Sequence, residues 1–183
     1  MHFEKVTYKE FDGAFIDMWL HQNLDKALGN QPMSLIQLDV AAIWRDIQLP
    51  SRATVGSAGY DFSFPMPLTI CNTGLKYRIP TGIRWVAGDI EDRLYMNIYP
   101  RSGLGSKFTL REPNVVSVID SDYCLSPNQG HIYVTLVNEG TVPECNIDAN
   151  YAYAQGIISK YVITDDDKCT GTRNGGFGST SRK

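Results

Sequence analysis

The sequence predicts an all-β domain, an antiparallel barrel, sandwich or jelly roll, and three observations carry that reading. From Ser34 onward the apolar residues fall in short strand-like runs, separated by Pro, Gly and Asn at intervals of roughly 8 to 15 residues. No helical stretch between those runs is long enough to cross from one parallel strand to the next, which disfavours a doubly wound sheet. The chain has 183 residues, 43% hydrophobic and 20% charged, enough to bury the core of one domain.

Taken in order, the first expected element is a helix. Between Tyr8 and Leu28 the residues Phe11, Phe15, Met18, Trp19, Leu20, Leu24 and Leu28 recur nearer the helical period than the strand period, and Gly29-Asn30 supplies a stop. Such a stripe is expected to pack on its own domain or on a neighbouring subunit. Residues 1–33 therefore read as an N-terminal helical extension. Strands are expected over Ile36 to Val40, Leu75 to Ile79, Gly82 to Ala87, Arg93 to Tyr99, Val115 to Ile119, His131 to Asn138 and Gly156 to Ile163, within a domain of residues 34–169. The last segment, 170–183, reads TGTRNGGFGSTSRK and holds four glycines and one large apolar residue, Phe177. It cannot bury enough surface to order by itself. An aromatic face among unhindered backbone N–H groups and hydroxyls nevertheless suits a lid over an anionic, base-bearing ligand.

Charge and side-chain inventory exclude several functions. Lys and Arg number 17 against 20 Asp and Glu, a net charge of −3 with no basic stripe, so direct nucleic-acid binding is not expected. Neither a membrane-length apolar run nor a basic-then-apolar leader is present at Met1-His2-Phe3-Glu4-Lys5, which points to a cytoplasmic protein with no membrane partner. Cysteines 71, 124, 145 and 169 contain no C-x-x-C pair and read as free thiols. His2, His21 and His131 are too scattered for a metal motif or a Ser-His-Asp triad, and Gly103-Leu104-Gly105-Ser106-Lys107 lacks the spacer of a P-loop. Asp165-Asp166-Asp167 reads as a solvated turn, and Asp89, Glu91 and Asp92 as the tip of a hairpin.

Chemistry concentrates in a few short strings. Ser57-Ala58-Gly59-Tyr60-Asp61 sets an acid after a strand-entering aromatic and two small residues. Pro100-Arg101-Ser102-Gly103-Leu104-Gly105 offers a cation, a hydroxyl and glycines whose backbone can approach phosphate oxygens closely. Val118-Ile119-Asp120-Ser121-Asp122-Tyr123 places two acids and an aromatic at a strand end, where they can position water and a flat base. Singly, each of these is more often a turn, a bulge or a hairpin end.

Together and in order, SAGYD, PRSGLG, VIDSDY, AQG and RNGGFGST resemble the five motifs of the trimeric dUTPases, over about Leu49 to Thr180. The resemblance implies a distorted, dUTPase-like jelly-roll barrel assembled as a homotrimer. Its sites would lie between subunits, with residues 170–183 as a flexible arm closing a neighbouring active site. The implied reaction is hydrolysis of dUTP to dUMP and pyrophosphate, which limits uracil in DNA and supplies dUMP for thymidylate synthesis. Asp120 would orient and activate the attacking water. Tyr123 would pack beneath the deoxyribose, and Asn114 with the backbone at Val118 and Ile119 would read the uracil edge. Arg101, Ser102, Gly103 and Gln155 would hold the triphosphate. Phe177 would stack on uracil, while Arg173, Gly178, Ser179 and Thr180 would contact the terminal phosphate. Mg²⁺ is implied as a cofactor chelated by the substrate, with Asp61 touching its waters.

Four departures from the family pattern stand out. The arginine expected five residues before Phe177 is replaced by Thr172, with Arg173 one place later. Ala152 stands where an arginine is usual, and Ser117 where glycine is. Residues Cys124 to Gln129 form an insertion before Gly130, as in a phage and bacterial branch of the family. Two alternatives share the fold: a dCTP deaminase, whose signature Glu is not found and which lacks the GGFGST tail, and a regulatory binding protein. The N-terminal helix and the 124–129 insertion would carry the surface for such a regulatory protein partner.

Overall fold

A computed structural model describes residues 1–27 and 39–175. The helix stop at Gly29-Asn30, the strand residues 36–38 and the arm residues Phe177, Gly178, Ser179 and Thr180 lie outside them. Eleven strands and two α-helices form among the described residues, and every ladder is antiparallel. Strand β1 (His2–Lys5) pairs with β5 (Ile83–Val86), and β3 (Leu68–Cys71) pairs with β10 (Glu144–Ile147). A three-stranded sheet runs β4 (Tyr77–Pro80), β9 (Tyr133–Asn138), β7 (Leu110–Arg111). The largest sheet has the order β2 (Gly59–Ser63), β11 (Ala152–Lys160), β6 (Leu94–Pro100), β8 (Ser117–Asp120). These four sheets give a distorted jelly roll and do not close into one continuous barrel.

Helix α1 (Tyr8–Ala27) contributes directly to the core. Phe11, Phe15 and Met18 recur at the helical spacing and are buried, and Phe11 and Phe15 meet Phe64 across the domain, with the Phe15 and Phe64 rings stacked 6.4 Å apart. The residues expected as a helical extension therefore open with a strand and continue into a helix built into the same core as the sheets. Gly82, at φ +71°, turns the chain from β4 into β5 beneath this helix, and a side chain there would strike Ile47 and Phe11.

The expected strand at Ile36 to Val40 is corrected at its end: Val40 opens helix α2 (Val40–Asp46). The reason is local, because the Asp39 carboxylate caps the helix by accepting from the Ala42 N–H at 2.9 Å. Trp44 of α2 donates to the Val6 carbonyl at 3.0 Å, and Lys5 donates to the Trp44 and Arg45 carbonyls, tying α2 to the end of β1. The six remaining expected strands are present with shifted ends, whereas β1, β2, β3, β7 and β10 have runs too short or too polar for the alternation rule to register. Asp165–Asp167 is an exposed turn and Ile90–Asp92 a 3-10 turn between β5 and β6. All four cysteines are free, and no helix among the described residues is long and apolar enough to cross a membrane.

Candidate active site

The four-stranded sheet carries two groups of the sequence-assigned side chains. The first lies at the end of β6 that leads into Arg101. In the ladders Gln155 of β11 stands opposite both Asp61 of β2 and Tyr99 of β6, so all three project from one face of the sheet. Arg101 follows Tyr99 by two residues, and its Nη1 donates to Asp61 Oδ1 at 2.5 Å. Gly59 lets Gln155 lie close: a β-carbon in its place would stand 2.6 Å from the Gln155 side-chain oxygen and shift that amide. Beyond Arg101 the chain enters a π-helical turn, Leu104–Phe108, with Gly103 as its N-cap, and the Ser106 hydroxyl donates to the Ser102 carbonyl at 2.9 Å. The Arg101 guanidinium, held by Asp61, and the Gln155 amide thus stand where the chain leads into Ser102 and Gly103, and a cation with neutral N–H and O–H donors suits a polyphosphate.

The second group sits at the other end of the same strand. Asp120, at the end of β8, is opposite Tyr95, and its side chain is about half exposed. Among the described residues strand β8 is the edge of the sheet, so one row of its backbone N–H and C=O groups has no ladder partner there and can read the edge of a base. Asn114 is exposed on a tight turn just before it, where the Val115 N–H donates to the Glu112 carbonyl at 3.0 Å and Val115 adopts φ 66°. Tyr123 is buried. Its hydroxyl donates to the His131 carbonyl at 3.0 Å and accepts from Asn128 Nδ2 at 2.9 Å.

Several residues at this end carried no sequence signal. Glu112 is 2% exposed; its Oε1 accepts from the Ser117 hydroxyl, its Oε2 has no partner, and burial raises its carboxyl above the usual range. Flanked by Arg111 and Pro113, it reads in sequence as an ordinary solvated turn acid. The insertion is locked rather than loose, since Gln129 accepts from the Thr7 N–H and donates to the Thr7 hydroxyl at the start of α1. His131, buried completely, accepts at Nε2 from the Gly82 N–H at 2.9 Å, which puts its proton on Nδ1 facing Glu10. Desolvation lowers its pKa to about 3, so it is neutral.

Two sequence-assigned residues are engaged differently from expectation. Arg173, expected on the terminal phosphate, pairs with Asp120 and with Asp122 of its own chain, the second contact at 2.7 Å. Asp61, expected beside the waters of a metal ion, pairs with Arg101. The two groups themselves are far apart. From Tyr95, opposite Asp120, to Arg101 is six strand residues, about 20 Å at the usual rise.

A family model for dUTPase matches residues 45–181. The deoxyuridine 5'-triphosphate nucleotidohydrolase of Desulfitobacterium hafniense (strain DSM 10664 / DCB-2) is 35% identical over 156 residues, covering 81% of this chain and 98% of its own. That of Lactococcus lactis subsp. lactis is 36% identical over 139 residues, covering 73% and 88%. Among solved structures, the dUTPase from Streptococcus mutans covers 64% of this chain and 88% of its own at TM-score 0.57 and 29% identity. A point mutant of the dUTPase from phage phi11 of S. aureus, described with a structural Mg(II) ion, covers 68% and 90% at TM-score 0.53 and 16% identity, a likeness of fold.

Proposed function

The chain belongs to the dUTPase family, and from that membership and the geometry we infer that it hydrolyses dUTP to dUMP and pyrophosphate at sites shared between chains. The separation of the two groups along β6 carries the shared site. A base that activates water must lie within hydrogen-bond reach of it, about 3 Å, and the attacked phosphorus within bonding range of the phosphates held at Arg101. Asp120 and Arg101 of one chain, about 20 Å apart, cannot serve the same nucleotide. Asp120 of one chain and Arg101 of another can, and the family's trimer is the closed arrangement that pairs every such half-site.

In this reading the free edge of β8 and Asn114 read the uracil, and a base with the wrong donor pattern leaves buried groups unpaired at about 1–3 kcal/mol each. Tyr123 presents its ring to the deoxyribose, with its hydroxyl held away by His131 and Asn128. Asp120 accepts the proton of the attacking water and fixes its approach. Arg101, Ser102, the Gly103 backbone and Gln155 on the facing chain hold the phosphates and stabilise the charge that collects on the departing pyrophosphate. Asp61, bonded to Arg101 at the edge of the phosphate corner, is the carboxylate that would touch the waters of a Mg²⁺ carried by the substrate. Such an ion would supply charge neutralisation of the phosphate oxygens. The proposed catalytic body takes in β1 and α1 together with the sheets up to residue 169, 170–183 are the proposed closing arm, and the cytoplasm is the proposed place of action.

The test is release of dUMP and pyrophosphate from dUTP with Mg²⁺, beside dCTP, dTTP and UTP. Turnover of dUTP alone is expected, with a loss of about 10²-fold or more in Asp120→Asn. Deamination of dCTP instead, or silence with all four, would overturn the assignment.

A further inference from the structure

The root of the arm is built onto the very half-site it would have to leave free. The Arg173 side chain is only 13% exposed: Nη2 is bonded to Asp120, Nε to Asp122 at 2.7 Å, and Nη1 to the Gly175 carbonyl at 3.2 Å. Its guanidinium carbon lies 5.8 Å from the centre of the Tyr123 ring, which is 4% exposed. Ser126, in the insertion and itself 5% exposed, donates to the same Gly175 carbonyl at 3.3 Å. Two anchors therefore hold the arm over the place where the sugar and the attacking water would stand.

We propose that in the nucleotide-free enzyme Arg173 latches the arm in cis, engaging Asp120 and covering Tyr123, and that nucleotide binding requires this latch to open. The proposal rests on the reading of this half-site as one for deoxyuridine nucleotides. Its physical content is an exchange. An arginine already bonded to two carboxylates and a carbonyl exchanges those bonds for the open arm, and the affinity of any ligand at Tyr123 is reduced by the fraction of chains that are latched. The insertion acquires a role in the same device, because Ser126 fixes the arm two residues after Arg173. One oxygen of the water-activating carboxylate is also engaged until substrate arrives, since a charge-assisted pair occupies it.

The probe is 2′-deoxyuridine, which has no phosphate and so reads the Tyr123 half-site alone. Titrated into the full-length assembly, it should bind about three- to tenfold more tightly to Arg173→Ala than to the unaltered protein. Ser126→Ala, which removes only the second anchor, should shift affinity in the same direction by less. Amide exchange over Thr170–Gly175 without nucleotide should be faster in both variants. Unchanged or weaker deoxyuridine binding in Arg173→Ala is the result for a simple phosphate ligand and would overturn the latch, as would unchanged exchange. Failure of the unaltered protein to turn over dUTP would instead remove the functional reading, while exchange over the arm would still report on the contact.

Discussion

At Glu112 a carboxyl is enclosed with one donor, the Ser117 hydroxyl, and with a second oxygen that has none. Burial raises its pKa, so the folded protein holds the proton more tightly than the unfolded chain does, and this contribution to stability is present at acid pH and lost as pH rises through the folded-state value. Glu112→Gln keeps the acceptor for Ser117 without the charge. It should raise the melting temperature more at pH 8 than at pH 4, and an equal gain at both would show that ionisation is not the cost. His131 has the opposite sign. With its pKa lowered to about 3 against about 6.5 in the unfolded chain, it contributes stability above that range that is lost as pH falls towards 3. Denaturant midpoints from pH 7 to 4 should therefore fall, and the slope should flatten in His131→Gln. Neither effect was visible in sequence, because Glu112 beside Pro113 and His131 before Ile132 carry no local mark of burial and only the fold removes water from them.

Helix α1 is the element that most alters the picture of the domain. Its apolar spacing was legible, but the sequence could not say whether Phe11 and Phe15 faced the chain's own sheets or another subunit, because periodicity defines a face and not its partner. In the fold Phe15 stacks on Phe64 and is fully buried. Phe15→Ala should cost about 3–5 kcal/mol in equilibrium unfolding, the usual effect of a cavity left by an aromatic ring. A loss below about 1 kcal/mol, the range of a surface change, would show the helix to be an appendage. The insertion 124–129 behaves alike: Asn128 bonds the Tyr123 hydroxyl and Gln129 bonds Thr7, which joins the Tyr123 ring to the start of α1.

Across the whole molecule, the separation of Asp120 from Arg101 makes a direct prediction. Asp120→Asn and Arg101→Ala should each be inactive, and a mixed assembly of the two should regain activity at about a quarter of its sites if each site draws one residue from each of two chains. No recovery after exchange of subunits would return the site to a single chain. The residue types of this chemistry were readable as ordered strings: Asp120 and Tyr123 within VIDSDY, Arg101 and Ser102 within PRSGLG, Gln155 within AQG. So was the all-β class, since strand runs and turn residues are written in neighbouring positions. What the tertiary structure alone decided are the contacts between positions remote along the chain: Arg101 with Asp61, Arg173 with Asp120 and Asp122, Ser126 with Gly175, Glu10 with His131. Local spacing determines which residues lie on one face of one element. Which faces meet, and which charges then stand at bonding distance and out of water, depends on how the sheets pack.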